Sequence, residues 1–199
     1  LSEEAPLSGK TAYADSKLKG ERCVCASGLD YRVVRLATVF GEGDRANFAK
    51  LARALKSGKF IIPGAGDARK SVISVSCAAE CIGQLALMRE VPYRLINLGL
   101  QQAPSLGEIC QSFSDVCGFA AARRVPLWFL RMAAFLGDLI ARIRPNFPLT
   151  SVNVSKLTRS SRVDCSRAVE MFPGLSKLSF KDELKKNADY YRDLQFALL

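Results

Sequence analysis

The sequence predicts an α/β protein whose C-terminal part is mostly helical. Short β-rich segments alternate with helical patterns in the first half of the chain, and Gly- or Pro-containing turns separate several of them. Pro126 then opens a long apolar segment that is typical of a helix. No internal repeat of solenoid length is present, so the pattern indicates an α/β domain followed by a helical region.

The elements follow from local patterns. A Ser- and Gly-containing turn leads into a first predicted helix from Ser8 to about Ala26, and Ser105 with Glu108 forms a capping box at the start of a later helix. Residues 145–163 are basic and are expected to be irregular. β-rich runs predict strands at 31–37, 60–63, 71–75 and 94–99, and helical patterns predict helices at 47–56, 78–88, 126–143, 166–172 and 180–194.

Composition limits the classes of function. The 199 residues are 49% hydrophobic and 24% charged, which excludes disordered and low-complexity classes. The net charge of +10 permits nucleic acid, anionic lipid or phosphorylated small molecules as partners. The absence of histidine excludes His-based triads and most zinc sites, so no metal is expected. Seven cysteines without framework spacing indicate reduced thiols and a cytoplasmic protein.

One motif in the first predicted helix points to chemistry. Tyr13 and Lys17 are four residues apart, which puts the phenol and the ammonium on one helix face. A neighbouring ammonium favours the phenolate, and such a tyrosine can exchange a proton with an alcohol. Hydride transfer between a hydroxyl and a ketone needs this proton transfer. A surface Tyr–Lys pair without function has the same spacing, so the motif alone decides little.

The surrounding segments resemble the extended short-chain dehydrogenase/reductase family, the NAD-dependent nucleotide-sugar epimerases and dehydratases. The resemblance is carried by TAYADSKLKGE, VVRLATVFGEG, PGAGDARKSVISVSCAAECIGQLAL, LINLG with SLGEICQSF, and the closing RVDCSRAVEMFPGLSKLSFKDELKKNADYYRD. It covers nearly all of residues 1–193. It implies the C-terminal part of a Rossmann-like, doubly wound parallel sheet with a small, mostly helical substrate-binding lobe.

The resemblance assigns roles to individual residues. Tyr13 matches the catalytic tyrosine, and Lys17 matches the lysine that holds the nicotinamide ribose. Thr38 stands where many members have an asparagine that helps to hold the substrate diphosphate. Asn47 and Phe48 match the point where a loop and the following helix meet the sugar nucleotide. Lys70 matches a diphosphate-binding position that is usually arginine, and Arg69 could supply the bidentate contact instead.

The resemblance also implies a domain that the sequence does not contain. Family members open with a glycine-rich loop that binds the dinucleotide pyrophosphate, and neither GEGD at 41–44 nor GAGD at 64–67 has that spacing. Residues 1–99 are therefore expected to be the C-terminal part of the Rossmann-like domain, interleaved with substrate-lobe segments. Residues 100–199 are expected to be mainly the substrate lobe. The NAD-binding half is expected to be absent, and the chain alone to be inactive.

Two features outside this motif allow other interpretations. Cys77 and Cys81 share a helix face, but two thiols are too few for zinc and are expected to pack in the core. The apolar segment 125–145 with its basic flanks permits a weak contact with a membrane surface, although packing within the substrate lobe is the simpler expectation. No nucleic-acid motif accompanies the basic segment, so no nucleic-acid partner is expected.

The resulting hypothesis is an enzyme that oxidises and reduces a UDP-hexose or UDP-N-acetylhexosamine at C4 with NAD or NADP, in surface polysaccharide synthesis. A nucleotide-sugar 4-ketoreductase is the alternative within the enzyme class. A non-catalytic basic module that docks on a membrane or a partner is the alternative from another class. The resemblance further implies a homodimer through the YxxxK helix, whose exposed side is expected to carry Leu18 and Val24.

Overall fold

The computed structural model describes residues 1–6, 11–143, 147 and 149–194, and confirms the α/β prediction. Strands and helices alternate up to residue 125, and helices follow. The elements are α1 Ala12–Cys25, β1 Val33–Leu36, β2 Thr38–Phe40, α2 Asn47–Lys56, β3 Ile61–Pro63, β4 Val72–Ser74, α3 Val75–Leu87, β5 Leu95–Leu98, α4 Leu106–Cys117, β6 Arg123–Val125, α5 Leu127–Ala141, α6 Ser151–Thr158, α7 Ser166–Met171, a 3₁₀ turn Pro173–Lys177, α8 Phe180–Lys186 and α9 Ala188–Asp193.

The strands β1 and β2 follow one another along one extended path, separated only by Ala37. The partner strand changes there, from β5 for β1 to β4 for β2. β1 pairs in parallel with β5, with Val33 opposite Leu95, and β2 pairs in parallel with β4, with Thr38 opposite Val72. Backbone hydrogen bonds from Ala37 to Leu98 and from Thr38 to Ser71 mark the change. The sequence predicted one strand over 31–37, so it missed the continuation to Phe40.

A third parallel pair lies away from this path. β3 pairs with β6, with Ile62 opposite Arg124. α5 follows β6 directly and packs against α6. Gly137 allows this packing, because a Cβ at that position would lie 1.8 Å from the carbonyl oxygen of Leu149.

Two hydrophobic cores hold the molecule together. One is aromatic, and its ring centroids lie 4.9–6.4 Å apart; the rings are Phe40, Phe48, Phe113, Phe119, Phe180 and Tyr191. The other is mostly aliphatic and includes the predicted core residues Cys77 and Cys81, together with Ile96 and Phe172. Both cores draw on residues before and after position 99, so the early strands are packed against the C-terminal helices.

Two local predictions were wrong, and one short strand was missed. Residues 145–163 contain the helix α6, whose N-cap hydroxyl on Thr150 accepts the Asn153 amide. The strand β6 was not predicted, because two consecutive arginines stand in it. The last predicted helix is divided at Asn187 into α8 and α9. The predicted start at Ser8 lies outside the described residues.

Candidate functional site

Helix α1 presents Tyr13 and Lys17 together on its surface. The hydroxyl of Thr11 accepts the Ala14 amide and caps the first turn. The Nζ of Lys17 lies 5.6 Å from the centroid of the Tyr13 ring, and Tyr13 is 73% exposed. No ion pair engages Lys17 within the described part of the chain. The expected pairing of phenol and ammonium is therefore present and open to a ligand.

A single ion pair connects α1 to the sheet. No described residue of α1 is buried. Arg35 on β1 donates from Nε to Glu21 Oε2 at 3.0 Å and from Nη2 to Glu21 Oε1 at 2.5 Å. Hydrogen bonding to Arg35 lowers the pKa of the Glu21 carboxyl and raises that of the guanidinium. Polar contacts at Glu21, rather than buried apolar side chains, hold the Tyr13–Lys17 face in position.

The loop after β2 is held by the C-terminal helices. Gly41 has φ +120° and donates its backbone N–H to the Tyr191 hydroxyl at 2.7 Å. The next amide, of Glu42, donates to Asn187 Oδ1 at 3.0 Å. Burial raises the pKa of the Tyr191 phenol. The loop lies at the carboxyl end of a parallel strand, the edge at which α/β proteins bind ligands.

The same loop prepares the start of α2. The carboxylate of Asp44 accepts the amides of Ala46 and Ala49 at 2.7 and 2.9 Å, and the Tyr190 hydroxyl donates to the Asp44 carbonyl at 2.6 Å. Asn47, the first residue of α2, is exposed. A rigid loop thus leads to an accessible amide side chain at a helix start.

The other predicted contact residues of this region differ in exposure. Thr38 is half-buried in β2. Phe48 is only 5% exposed, and its ring packs 5.3 Å from Phe40 and 5.8 Å from Phe180. Its side chain therefore contributes to the aromatic core, and its assignment to the substrate site stays a prediction.

Arg69 and Lys70 already have partners in the structure. Lys70 Nζ donates to the carbonyls of Lys156 and Arg159 at 2.9 and 2.5 Å, at the end of α6. Burial lowers the pKa of the Lys70 ammonium. Arg69 donates to the Ala103 carbonyl at 2.8 Å and lies 3.7 Å from Glu108. Lys70 thus links the start of β4 to the end of α6, and Arg69 links it to the start of α4. Their role toward a diphosphate stays a prediction.

The strand register separates Lys70 from the loop at Gly41. Because Thr38 lies opposite Val72, Lys70 is level with Leu36, whereas Gly41 follows Phe40 at the other end of the pair. Five residues of extended backbone separate these levels by about 16 Å. The predicted contact residues thus form two groups, one around Gly41 and Asn47 and one at Arg69 and Lys70.

Sequence reasoning missed the residues that hold the loop. They are Asn187, between α8 and α9, and Tyr190 and Tyr191 on α9, three and four residues further along the chain. This spacing could have indicated a shared face. It could not have identified Gly41, Glu42 and Asp44 as the partners, because these are separated from the tail by more than a hundred residues of chain.

The comparison with family models matches the first half of the chain. Residues 1–99 match the model described as "NAD dependent epimerase/dehydratase family". The matched range includes Tyr13, Lys17, the loop at Gly41, and Arg69 with Lys70. No curated protein matches the chain.

Solved structures match the fold over nearly the whole chain. The UDP-glucuronic acid 4-epimerase from Bacillus cereus with NAD is 17% identical, with a TM-score of 0.68 over 98% of this chain and 56% of its own. The Bordetella bronchiseptica enzyme WbmG with NAD and UDP is 20% identical, with a TM-score of 0.65 over 97% of this chain and 53% of its own. The human epimerase family protein SDR39U1 with NADPH is 18% identical, with a TM-score of 0.64 over 95% of this chain and 59% of its own. The chain thus spans little more than half the length of these proteins, and the likeness confirms the Rossmann-like fold class.

Proposed function

We propose, because residues 1–99 match the model of the NAD dependent epimerase/dehydratase family, that the chain supplies the proton-transfer pair and the sugar-nucleotide lobe of an NAD-dependent epimerase. The reaction is oxidation of a UDP-hexose or UDP-N-acetylhexosamine at C4 followed by reduction on the other face of the sugar. The observation that carries this proposal is the Tyr13–Lys17 pair, stacked at 5.6 Å on an accessible helix face.

The donor set on α1 fits a nicotinamide ribose. Lys17 offers three N–H donors and Tyr13 one hydroxyl on the same face, and both side chains are exposed. Bound NAD would supply the hydride chemistry, since it can take a hydride from the sugar and give it back. The solved structures of the Bacillus cereus and Bordetella bronchiseptica proteins contain NAD, which supports the choice of cofactor.

Tyr13 would move the proton that accompanies each hydride. As the C4–H bond breaks, the phenolate oxygen accepts the proton of the C4 hydroxyl, and the sugar becomes a ketone. In the return step the phenol gives the proton back to the C4 oxygen. The ammonium of Lys17 stabilises the phenolate before the oxidation and again after the reduction. Tyr13 thus acts first as general base and then as general acid.

The sugar nucleotide would bind at the carboxyl end of β2. Asn47 offers its amide directly after the loop 41–46, and Thr38 offers its hydroxyl from the first residue of β2. At the other end of the β2–β4 pair, Arg69 or Lys70 would contact the diphosphate once its present hydrogen bonds to backbone carbonyls are broken. The structural relatives include a UDP-glucuronic acid 4-epimerase and a protein in complex with UDP, which supports a UDP-sugar as substrate. A role in surface polysaccharide synthesis is part of the proposal.

Steady-state kinetics of the intact enzyme with NAD and a UDP-hexose test the role of Tyr13. Tyr13→Phe removes the proton carrier and keeps the ring, so kcat should fall by roughly 10²–10⁴-fold while the substrate still binds. Tyr93→Phe is the matched control, because the Tyr93 hydroxyl bonds to Glu170 on the surface. Near-normal kcat in Tyr13→Phe would show that the resemblance describes the fold only.

The same experiment separates the alternative reaction. A 4-ketoreductase would consume one NADPH for each sugar reduced, whereas an epimerase shows no net change of cofactor. The human structural relative contains NADPH, which is the observation in favour of the alternative. Absorbance of the nicotinamide during turnover distinguishes the two.

The exposure of α1 supports a homodimer through this helix. Leu18 is half-buried and Val24 is 44% exposed on a helix with no buried residue. Packing against a second copy would cover both side chains. Sedimentation of Val24→Glu should then show a shift toward monomer, and a protein that sediments as a monomer before any substitution contradicts the dimer.

A further inference from the structure

Helix α5 carries the largest exposed apolar surface of the described chain. Only Leu130, Ala134 and Gly137 of its residues are buried. The exposed apolar face of α5 consists of side chains that are 43–85% exposed, namely Trp128, Phe129, Met132, Phe135, Leu136, Leu139, Ile140 and, just beyond the helix, Ile143. The expectation that this segment packs within the substrate lobe therefore holds for one narrow side only.

The exposed side chains form a continuous stripe. At 100° per residue, the eight residues fall within an arc of about 140°, and Arg131 and Arg142 lie together at one border of it. Single exposed apolar residues are normal on a protein surface, but a contiguous patch of this kind marks an interaction site. The guanidinium groups are positioned where the apolar surface ends.

The charged residues around the stripe are almost all basic. Residues 123–162 include a single acidic residue, Asp138, against eight basic ones: Arg123, Arg124, Arg131, Arg142, Arg144, Lys156, Arg159 and Arg162. Hydrogen bonding to the Ser151 side chain and to the Ser151 backbone amide, which lies at 2.9 Å, lowers the pKa of the Asp138 carboxyl. Asp138 thus contributes to the α5–α6 contact. The described part of this segment forms no ion pair.

We propose that α5 binds flat on an anionic lipid surface, with its apolar stripe between the acyl chains and its arginines at the headgroup phosphates. An apolar face bordered by basic side chains is the pattern of interfacial helices, and Arg side chains extend toward phosphates from such a position. The helix has 15 residues and a length of about 22 Å. No described helix has the length and hydropathy needed to cross a bilayer.

Charge complementarity favours lipid over the other occupants of this face. Two copies meeting through α5 would bring the basic segment of one against that of the other, with one engaged carboxylate on each side. A nucleic acid would match the charge but would leave eight apolar side chains against a polar, charged backbone. An anionic bilayer surface matches both the basic side chains and the apolar stripe, since it offers phosphates above a hydrocarbon interior.

Trp128 provides a direct probe, because it is the single tryptophan of the chain and is 65% exposed. The chain is mixed with vesicles of phosphatidylcholine, with and without phosphatidylglycerol. With phosphatidylglycerol vesicles at low salt, we expect a blue shift of Trp128 emission and quenching by lipids brominated on the acyl chain. Co-sedimentation should weaken at high salt.

Two double variants separate the parts of the proposal. Arg131→Gln with Arg142→Gln should weaken binding to anionic vesicles on the order of thirtyfold, since each basic residue near the surface contributes about fivefold. Arg45→Gln with Arg89→Gln removes the same charge from exposed positions elsewhere and should leave binding nearly unchanged. Phe135→Ser with Leu139→Ser should abolish the blue shift.

Three outcomes overturn the proposal. Equal effects of the two arginine pairs would mean that net charge, and not α5, attracts the vesicles. A Trp128 blue shift that depends on protein concentration without lipid, with dimers in sedimentation, would assign the face to a second copy. Binding to single- or double-stranded oligonucleotides that the vesicles do not displace would assign it to nucleic acid.

Discussion

The guanidinium of Arg35 on β1 holds the carboxylate of Glu21 on α1 through two hydrogen bonds, of 3.0 and 2.5 Å. Both side chains are largely shielded from water. Since no α1 side chain is buried, this bidentate contact between charged groups fixes the helix that carries Tyr13 and Lys17. Such pairs are stronger than neutral hydrogen bonds.

Glu21→Gln should loosen α1 selectively. The neutral amide cannot reproduce the bidentate ion pair, so opening of α1 should become easier by about 1 kcal/mol. Hydrogen exchange should show α1 amides exchanging roughly fivefold faster, with the amides of α4 unchanged. Asp15→Asn is the control, because it removes only the exposed pair with Lys19 on the same helix. Equal effects of both variants would refute the anchoring role.

The same contact predicts a pH dependence. The folded pKa of Glu21 is lowered by Arg35, so the contact contributes stability above the ordinary carboxyl pKa and loses it as the pH falls through the lowered folded value. The difference in α1 exchange between the native protein and Glu21→Gln should therefore be full near neutral pH and disappear in acid. A difference that grows as the pH falls would contradict this assignment.

Gly41→Ala should disturb the loop through contact as well as through backbone strain. A Cβ at Gly41 would lie 2.6 Å from Asn187 Oδ1, the acceptor of the Glu42 amide. Gly43 also has a positive φ, of +84°, but a Cβ there would have no neighbour within 4 Å. Gly43→Ala should cost about 1 kcal/mol for the backbone, and Gly41→Ala roughly 1–2 kcal/mol more. Urea denaturation of both measures the difference, and equal losses would exclude the contact.

Glu183→Ala should be strongly destabilising. Glu183 is fully buried, and its carboxylate accepts the Ser74 hydroxyl while forming a 2.5 Å ion pair with Lys186. The alanine leaves the Ser74 hydroxyl without that acceptor, so the free energy of unfolding should fall by about 3 kcal/mol. Glu80→Ala on the exposed side of α3 is the control and should change it by less than about 0.5 kcal/mol.

Lys70→Ala should separate a binding role from a structural one. Loss of the donor to the Lys156 and Arg159 carbonyls should reduce stability by about 1–2 kcal/mol. If Lys70 also contacts the diphosphate, the KM of the intact enzyme for a UDP-sugar should rise with little change in kcat. Lys59→Ala, at an exposed turn, is the control for both readouts. A stability loss with unchanged KM would restrict Lys70 to supporting α6.

Local sequence patterns determined those helices, caps and side-chain pairs that depend only on residues close together in the chain. The helix Asn47–Lys56 was predicted with its bounds, because its apolar residues repeat on one face and four of them are buried. The capping box of Ser105 and Glu108 formed as predicted, since both partners lie within one turn. The Tyr13–Lys17 pair belongs to the same class, because helical geometry alone brings residues four apart together.

Only the tertiary structure decided contacts between distant segments. Asn187 ends α8 and binds the loop at Glu42, a partner that no local pattern identifies. Lys70 and Arg69 are adjacent in sequence, yet one contacts the end of α6 and the other Ala103. The exposure of the α5 stripe was likewise open, because a hydrophobic helix can pack against neighbours or remain uncovered. Composition and spacing specify which faces are apolar, whereas the fold determines which of those faces are buried, since burial depends on how distant segments meet.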